Sequence, residues 1–597
     1  MIMKTKLTPL FCSLVLASAL TAFAAPEKVS LWPEGKIPDF QEKQIAAPTD
    51  VAGKPDFKPE EWRMPYLEWS EPPAESNRND CCLILISGGS YINWCDVGLV
   101  EGWRRRFTAE GFQCVKLVYR TPRPEGLEIY RTAWQDGQRA VRLVRLDAAK
   151  RGYDPKKIGT VSMSAGSHLA TLLATSALTP AYERVNEVDD TPCHINWAIT
   201  CAIAFGMSDG LTGPNTTAGN ATNATLDTCF KFDDKTAPMC MFHGGKDPYS
   251  PISSTQVYRR LRQKKIPAEL HLFADRGHGF FGSDQRKEEE ACAYDTWFDR
   301  AMEFMRQMGF LGELPPEKPL MARFPNDDDR ASYEKQDLWP AGRIPDLQTN
   351  QCIPFIEWHA PKDLKTKAIQ IIYSGGAYQG NNPNGAEVAP ARRFLNAHGM
   401  TVVTLNYRTP RPAKPLEKHV TAWQDLQRAI RLVRSQAEAR GLDPDRIGIM
   451  GSSAGGHLTL MGAASSQSPA YEPIDELDKL SCKVHWGIAI YPAYGLTDGV
   501  DCGNSTGGNA DSAVLVPEFA FDEDTPPMLF VHGDADGWAA MNSVKAWEQL
   551  RRMGIQSDLH TLVRRGHCFQ FKAAPGTGSY TWLGRIWEFM NHMGFNK

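Results

Sequence analysis

The sequence predicts an α/β protein of two tandem units, each a mostly parallel sheet with helices on both faces. One observation is internal repetition. "LWPEGKIPD" from Leu31 returns as "LWPAGRIPD" from Leu338, "AWQDGQRAVRLVR" from Ala133 as "AWQDLQRAIRLVR" from Ala422, and "EFMRQMGF" from Glu303 as "EFMNHMGF" from Glu588. Repeats this long are too large for solenoid units and should each fold around a core. The other is the texture within a unit, where short apolar runs alternate with longer amphipathic patterns, as parallel strands joined by crossover helices require.

Taken in order, residues 1–24 carry Lys4 and Lys6, an apolar stretch, and "AFA" at Ala22–Ala24. This is the pattern of a cleaved signal peptide, and it implies a secreted or periplasmic protein with no membrane attachment after cleavage. The first unit is expected over 25–312. Its strand candidates are "LILIS", "CVKLVY", "IGTVSM", "WAITCAIAFG", "PMCMFHG" and "ELHLFA". Such runs, apolar at successive positions, suit a sheet covered on both sides. The stretch Tyr130–Arg151 has helical apolar spacing, which makes Trp134, and Trp423 in the repeat, core residues. Residues from Phe40 to Ser76 are rich in proline and aromatics and read as an ordered loop. The segment 313–335 is proline-rich and charged, a linker. The second unit, 336–597, supplies "IQIIYS", "TVVTLNY", "IGIMGS", "WGIAIYP", "PMLFVHG" and "DLHTLV".

The 597 residues hold 42% hydrophobic and 23% charged side chains with net charge -4. No sustained basic tract exists to neutralise a row of phosphates, so nucleic acid is not an expected partner. "RRR" at Arg104–Arg106 reads as a solvated helix face, and "NDDDR" at Asn326–Arg330 lacks the spaced oxygen ligands of a calcium loop. Cys12 would leave with the signal, so 13 of the 14 cysteines remain and at least one is unpaired. Cys81 and Cys82 are expected to be buried apolar side chains. The sequence does not indicate an oligomeric state.

The chemistry concentrates where one strand of each unit ends in a serine among small residues and a helix pattern follows. "GSSAG" gives Gly451, Ser453 and Gly455, and "SMSAG" gives Ser162, Ser164 and Gly166. Such an elbow lifts a hydroxyl above the sheet edge, and only small neighbours let strand and helix pass so closely. Ser162 in place of glycine adds a hydroxymethyl group, a change small enough to tolerate. A serine hydroxyl needs a histidine to take its proton and an acid to orient that histidine. "HGGKD" supplies Asp247 and "RGHGF" His278; "HGDAD" supplies Asp536 and "RGHCF" His567. Serine and acid are 83 residues apart in both units, and acid and histidine 31 apart in both. A lone histidine after a strand is ordinarily a satisfied loop residue, but the repeated spacing favours Ser164–His278–Asp247 and Ser453–His567–Asp536. Asp534 competes with Asp536, and alignment on His-Gly selects Asp536. The first strand of each unit ends in "ISGGSY" or "YSGGAY", a glycine-rich loop suited to presenting backbone N–H groups to an oxyanion. That assigns Gly89, Ser90 and Ala165 to one site and Gly376, Ala377 and Ala454 to the other. His168 and His457 are expected to cap or pack the helices they begin, not to hold metal. Arg120, Arg123, Arg408 and Arg411 could face a pocket or stabilise a turn.

These motifs together resemble the α/β-hydrolase esterases, in particular acetyl xylan esterases and related carbohydrate esterases, in tandem duplication. The resemblance covers nearly all of both units and implies two α/β-hydrolase domains that hydrolyse short acyl esters, acetyl or feruloyl, on carbohydrate, with no cofactor and no metal. The alternatives are a prolyl-oligopeptidase-like serine peptidase, whose β-propeller has no visible repeat here, or a chain in which one domain has become a binding module.

Overall fold

The structure, a computed structural model, describes residues 27–44, 48–49, 64–95, 98–208, 225–280, 296–312, 333–497, 513–572 and 578–597. The expected signal peptide and most of the expected linker lie outside the described residues. Strands of the first half are β1 (Glu27–Ser30), β2 (Tyr66–Ser70), β3 (Cys82–Ile86), β4 (Gln113–Val118), β5 (Ile158–Ser164), β6 (Trp197–Ile203), β7 (Met239–Gly244) and β8 (Ala268–Phe273). The second half has β9 (Glu334–Asp337), β10 (Phe355–His359), β11 (Ile369–Tyr373), β12 (Thr401–Asn406), β13 (Ile447–Ser452), β14 (Trp486–Ile490), β15 (Met528–Gly533) and β16 (Asp558–Leu562). They form one sheet in the order β1-β2-β4-β3-β5-β6-β7-β8-β16-β15-β14-β13-β11-β12-β10-β9. This order reads the same from either end.

Within each half the six strands β3 to β8, or β11 to β16, are parallel, and the two outer strands each pair antiparallel with their inner neighbour. Helices cover both faces, and the period-2 alternation of the strands shows it. In the second half Ile371, Ile449 and Phe530 join one core with Leu426 and Leu458. Their neighbours Ile372, Met450 and Leu529 join another with Leu395 and Trp582. The amphipathic stretch expected from Tyr130 is helix Arg131–Arg151, ended by Gly152 at φ 75°, a left-handed cap that favours glycine.

Two features depart from expectation. Tyr66–Ser70, inside the expected loop, is a strand, paired antiparallel to β4. The units also do not keep separate sheets. Strand β8 pairs antiparallel with β16, His271 opposite His560. At this seam Glu269 Oε1 accepts from the Val563 N–H at 2.8 Å, and Asp558 Oδ1 accepts from the Ala274 N–H at 2.6 Å. Arg585 pairs with Glu303 at 2.9 Å and Arg300 with Glu588, all four side chains largely shielded from solvent. Each bond has its counterpart with the halves exchanged, the reciprocity of a two-fold interface.

Candidate active sites

Each site is assembled at the ends of parallel strands. Ser164 has φ 57° and ψ -124°, and the helix Ala165–Thr175 begins at the next residue. Ser453 has φ 56° and ψ -119° before the helix Ala454–Ala464. A positive φ on a non-glycine residue is strained and persists only where the surroundings enforce it. Here they do. A Cβ on Gly166 would meet the Ser87 carbonyl oxygen at 2.3 Å, and one on Gly455 the Ser374 oxygen at 2.5 Å. Strand, elbow and helix therefore interlock only with glycine at those places.

In the first half His278 Nε2 lies 3.0 Å from Ser164 Oγ, and its Nδ1 2.8 Å from Asp247 Oδ2. In the second, His567 Nε2 lies 2.8 Å from Ser453 Oγ and its Nδ1 2.8 Å from Asp536 Oδ2. All six residues expected from spacing thus converge into two hydroxyl–imidazole–carboxylate chains. The acids are buried, whereas His278 and His567 keep about a quarter of their side-chain surface open, 25% and 26%. Burial pushes both carboxyls up, but hydrogen bonds from two histidines apiece outweigh it and hold Asp247 and Asp536 below the ordinary value. One of those histidines is the expected partner; the other, His243 or His532, sits four residues before the acid at 3.3 Å. The triad spacing assigns it no role, though "HG" four positions before both acids is a signal for it. Asp247 Oδ1 also accepts from the Tyr249 N–H and Asp536 Oδ1 from the Trp538 N–H, each at 2.8 Å. Asp534, the competitor, faces the seam instead, accepting from the Ala268 N–H at 3.1 Å and lying 3.2 Å from Arg262.

The glycine-rich loops press directly on the serines. A Cβ on Gly88 or Gly375 would come within 2.7 Å of the Ser164 or Ser453 Cβ. Gly89, at φ 115°, and Gly376, at φ 97°, turn the chain, and Ser90 and Ala377 follow at φ 55°. The Tyr119 hydroxyl donates to the Ser87 and Gly88 carbonyls, and Tyr407 does the same to Ser374 and Gly375. His168 and His457 are buried and reach back to this loop, bonding Tyr91 and Tyr378 hydroxyls at 2.9 Å. They buttress the loop and do not cap the helix. Arg120 and Arg408 are core residues, each tied to Asp136 or Asp425 at 3.0 Å. Arg123 donates to the Ser90 carbonyl at 2.9 Å, and Arg411 is exposed.

The two sites differ at their rims. In the first, Ser90 Oγ bonds the Tyr249 hydroxyl at 3.0 Å; the second has Ala377 and Trp538 there. The second opens onto a cleft of about 390 Å³ lined by Gly376, Asn381, Asn382, Glu387 and Phe571. Glu387 accepts from the Gly375 N–H at 2.7 Å and the Ser452 hydroxyl at 2.8 Å, another residue missed in the sequence because it carries no motif. Cys81 and Cys82 are buried free thiols, as expected.

A family model described as BD-FAE matches residues 71–229 and 356–550, once in each half, and the dienelactone hydrolase family model matches 219–309. Endo-1,4-beta-xylanase B of Butyrivibrio fibrisolvens is 26% identical over 211 residues, 33% of this chain and 32% of that protein. Acetylxylan esterase of Xylanibacter ruminicola is 25% identical over 224 residues, 35% and 42% of the two chains. The probable carboxylic ester hydrolase LipM of Mycobacterium tuberculosis is 26% identical over 218 residues, 33% and 49%. The chain thus spans between about a third and a half of the length of these relatives. Among solved structures, the acetyl ester-xyloside bifunctional hydrolase from Caldicellulosiruptor lactoaceticus aligns at TM-score 0.37 and 23% identity, over 44% of this chain and 97% of that one. With the BD-FAE matches covering more than half of its length, the chain belongs to the BD-FAE family, within the α/β-hydrolase esterase group its motifs resemble.

Proposed function

We propose that the chain is a secreted or periplasmic serine esterase that removes short acyl groups, acetyl or feruloyl, from carbohydrate. It would do so at two sites, one in each of the domains 25–312 and 336–597, after loss of residues 1–24. The observation that carries this reading is the unbroken hydroxyl–imidazole–carboxylate chain in both halves. In each, the histidine takes the serine proton as the oxygen attacks the ester carbonyl, and the buried aspartate stabilises the imidazolium that forms. The developing oxyanion would lie against the backbone N–H groups of Gly89, Ser90 and Ala165, or Gly376, Ala377 and Ala454. One such donor contributes about 3 kcal/mol to transition-state binding. The imidazolium then gives its proton to the departing sugar oxygen, which leaves as the alcohol, and water repeats the cycle on the acyl-enzyme. Two sites on one chain would raise effective concentration along a polymer carrying many esters.

The test is release of acetate or ferulate from esterified oligosaccharide by wild type, Ser164→Ala, Ser453→Ala and the double variant. Release is expected to vanish only in the double variant; unaltered turnover there refutes the reading. Fluorophosphonate labelling with peptide mapping reports each serine separately, since only an activated serine reacts readily.

A further inference from the structure

Behind the second site lies a cluster that the reaction does not use. His419 precedes the helix Val420–Ala437, His457 is in the first turn after Ser453, and Glu518 is in the segment leading to β15. One ligand atom from each lies within 4.8 Å of the other two. His457 Nε2 is 3.5 Å from Glu518 Oε1, and His419 Nδ1 is 3.9 Å from the same oxygen.

We infer that His419, His457 and Glu518 form a divalent transition-metal site, with zinc the ion their donors suit. Three observations lead there. His457 is buried and its Nε2 has no hydrogen-bond partner, an unusual state for such a nitrogen. Its Nδ1 is 2.9 Å from the Tyr378 hydroxyl; donation from Nδ1–H to that oxygen leaves the Nε2 lone pair aimed at the cluster. Metal-bound imidazoles commonly have an outer partner of this kind. The spacing is also close to a ligand set, because zinc bonds of about 2.0–2.2 Å in tetrahedral geometry separate ligand atoms by roughly 3.3 Å. The separations of 3.5 and 3.9 Å from Glu518 need to close by roughly 0.2 and 0.6 Å, and the third, between the two imidazoles, lies within 4.8 Å.

The first half lacks this set. Counting back 289 positions, the offset between the two nucleophilic serines, His419, His457 and Glu518 correspond to Tyr130, His168 and Cys229. There His168 Nε2 faces the Cys229 thiol at 3.7 Å, a proton-bearing group that burial pushes far above its ordinary value. The cation a bound metal must tolerate is Lys418, whose ammonium lies over the Tyr494 ring at 4.8 Å. A fourth position would be taken by water, since the Glu518 side chain keeps 23% of its surface. Through His457 the ion would brace the Tyr378 loop of the second site only.

The experiment is equilibrium dialysis of the chelator-treated full chain against Zn²⁺, with metal analysis and the absorption spectrum of the Co²⁺ form, for wild type, His419→Tyr, Glu518→Gln and Tyr378→Phe. His419→Tyr installs the side chain the first half already accommodates, so it is the variant expected to keep its fold, checked by circular dichroism. Wild type should bind one equivalent more than His419→Tyr and Glu518→Gln, and zinc should raise the melting temperature of wild type but of neither ligand variant. Tyr378→Phe should bind roughly tenfold more weakly. Equal zinc stoichiometry in wild type and both ligand variants, as binding at the other buried His/Cys/Glu cluster around Cys240 would give, overturns the assignment. Because bound metal is the readout, the outcome does not depend on whether Ser453 is a nucleophile.

Discussion

Ile86 stands beside Ser162 on the adjacent parallel strand, whereas the second half pairs Tyr373 with Gly451 at the same place. The exchange matches volumes. A Cβ on Gly451 would meet the Gly455 carbonyl oxygen at 2.4 Å and the Tyr373 ring at 2.5 Å. In the first half the aromatic ring is gone, strand β5 shifts register between Met163 and Ser164, and the Ser162 hydroxyl donates to the Ile199 carbonyl at 3.1 Å. Ser162 is therefore an accommodated residue, not a damaged elbow.

Gly451→Ser should then destabilise the second half by about 1–3 kcal/mol, as overpacking does, and cut fluorophosphonate labelling of Ser453 while leaving Ser164. Adding Tyr373→Ile should recover part of the loss. Ser162→Gly should leave both serines reactive. Calorimetry with peptide-resolved labelling measures all three, and full labelling of Ser453 in Gly451→Ser contradicts the account.

Asp534 and Asp536 lie two residues apart with different tasks. Asp536→Asn should lower turnover at the second site by on the order of 10⁴-fold, since an amide favours the wrong imidazole tautomer. The comparison is best made in a Ser164→Ala background, so that only the second site is read. Asp534→Asn should keep turnover and change only thermal stability, because its carboxyl faces Arg262 and the Ala268 N–H. Steady-state rates for the pair decide; equal losses would reverse the assignment.

Much of this was legible because buried parallel strands are written as unbroken apolar runs and the candidate serine, aspartate and histidine recur at fixed intervals. What escaped notice obeys other constraints. Strand β2, "YLEWS", carries Glu68 in its middle, paired with Lys116 on β4 at 2.8 Å, so it does not look like a core strand. The seam strands "AELHLF" and "DLHTL" place Glu269, His271, Asp558 and His560 at alternate positions, a pattern that reads as a half-solvated edge. Their other face is the opposite half of the chain, which no local pattern announces. The Ile86–Ser162 and Tyr373–Gly451 pairings were hidden for a similar reason, since they depend on register between strands distant in sequence.

The seam is expected to bind the halves into one cooperative unit. Glu303→Ala leaves Arg585 buried without its 2.9 Å partner, a change that costs about 3–5 kcal/mol in buried pairs. Scanning calorimetry should show a single transition for wild type and a single, lower one for Glu303→Ala. Two resolved transitions, with only one displaced by the substitution, would mean that the halves melt independently.

Glu269 makes the seam sensitive to pH. Burial pushes its carboxyl up to about 8, against the backbone N–H of Val563 and the nearby Arg585, which pull it down. A raised acid binds its proton more tightly in the folded state than in the unfolded one. The stability it contributes is complete below the unfolded value of about 4.3 and is lost as pH rises through 8. Glu269→Gln keeps a carbonyl to accept from Val563 without the ionisation, so it should flatten the decline. Relative to the variant, wild type should lose stability on the order of a few kcal/mol between about pH 4 and pH 9. Urea unfolding at stepped pH measures the difference; parallel profiles for the two proteins would show that the carboxyl does not titrate in this interval.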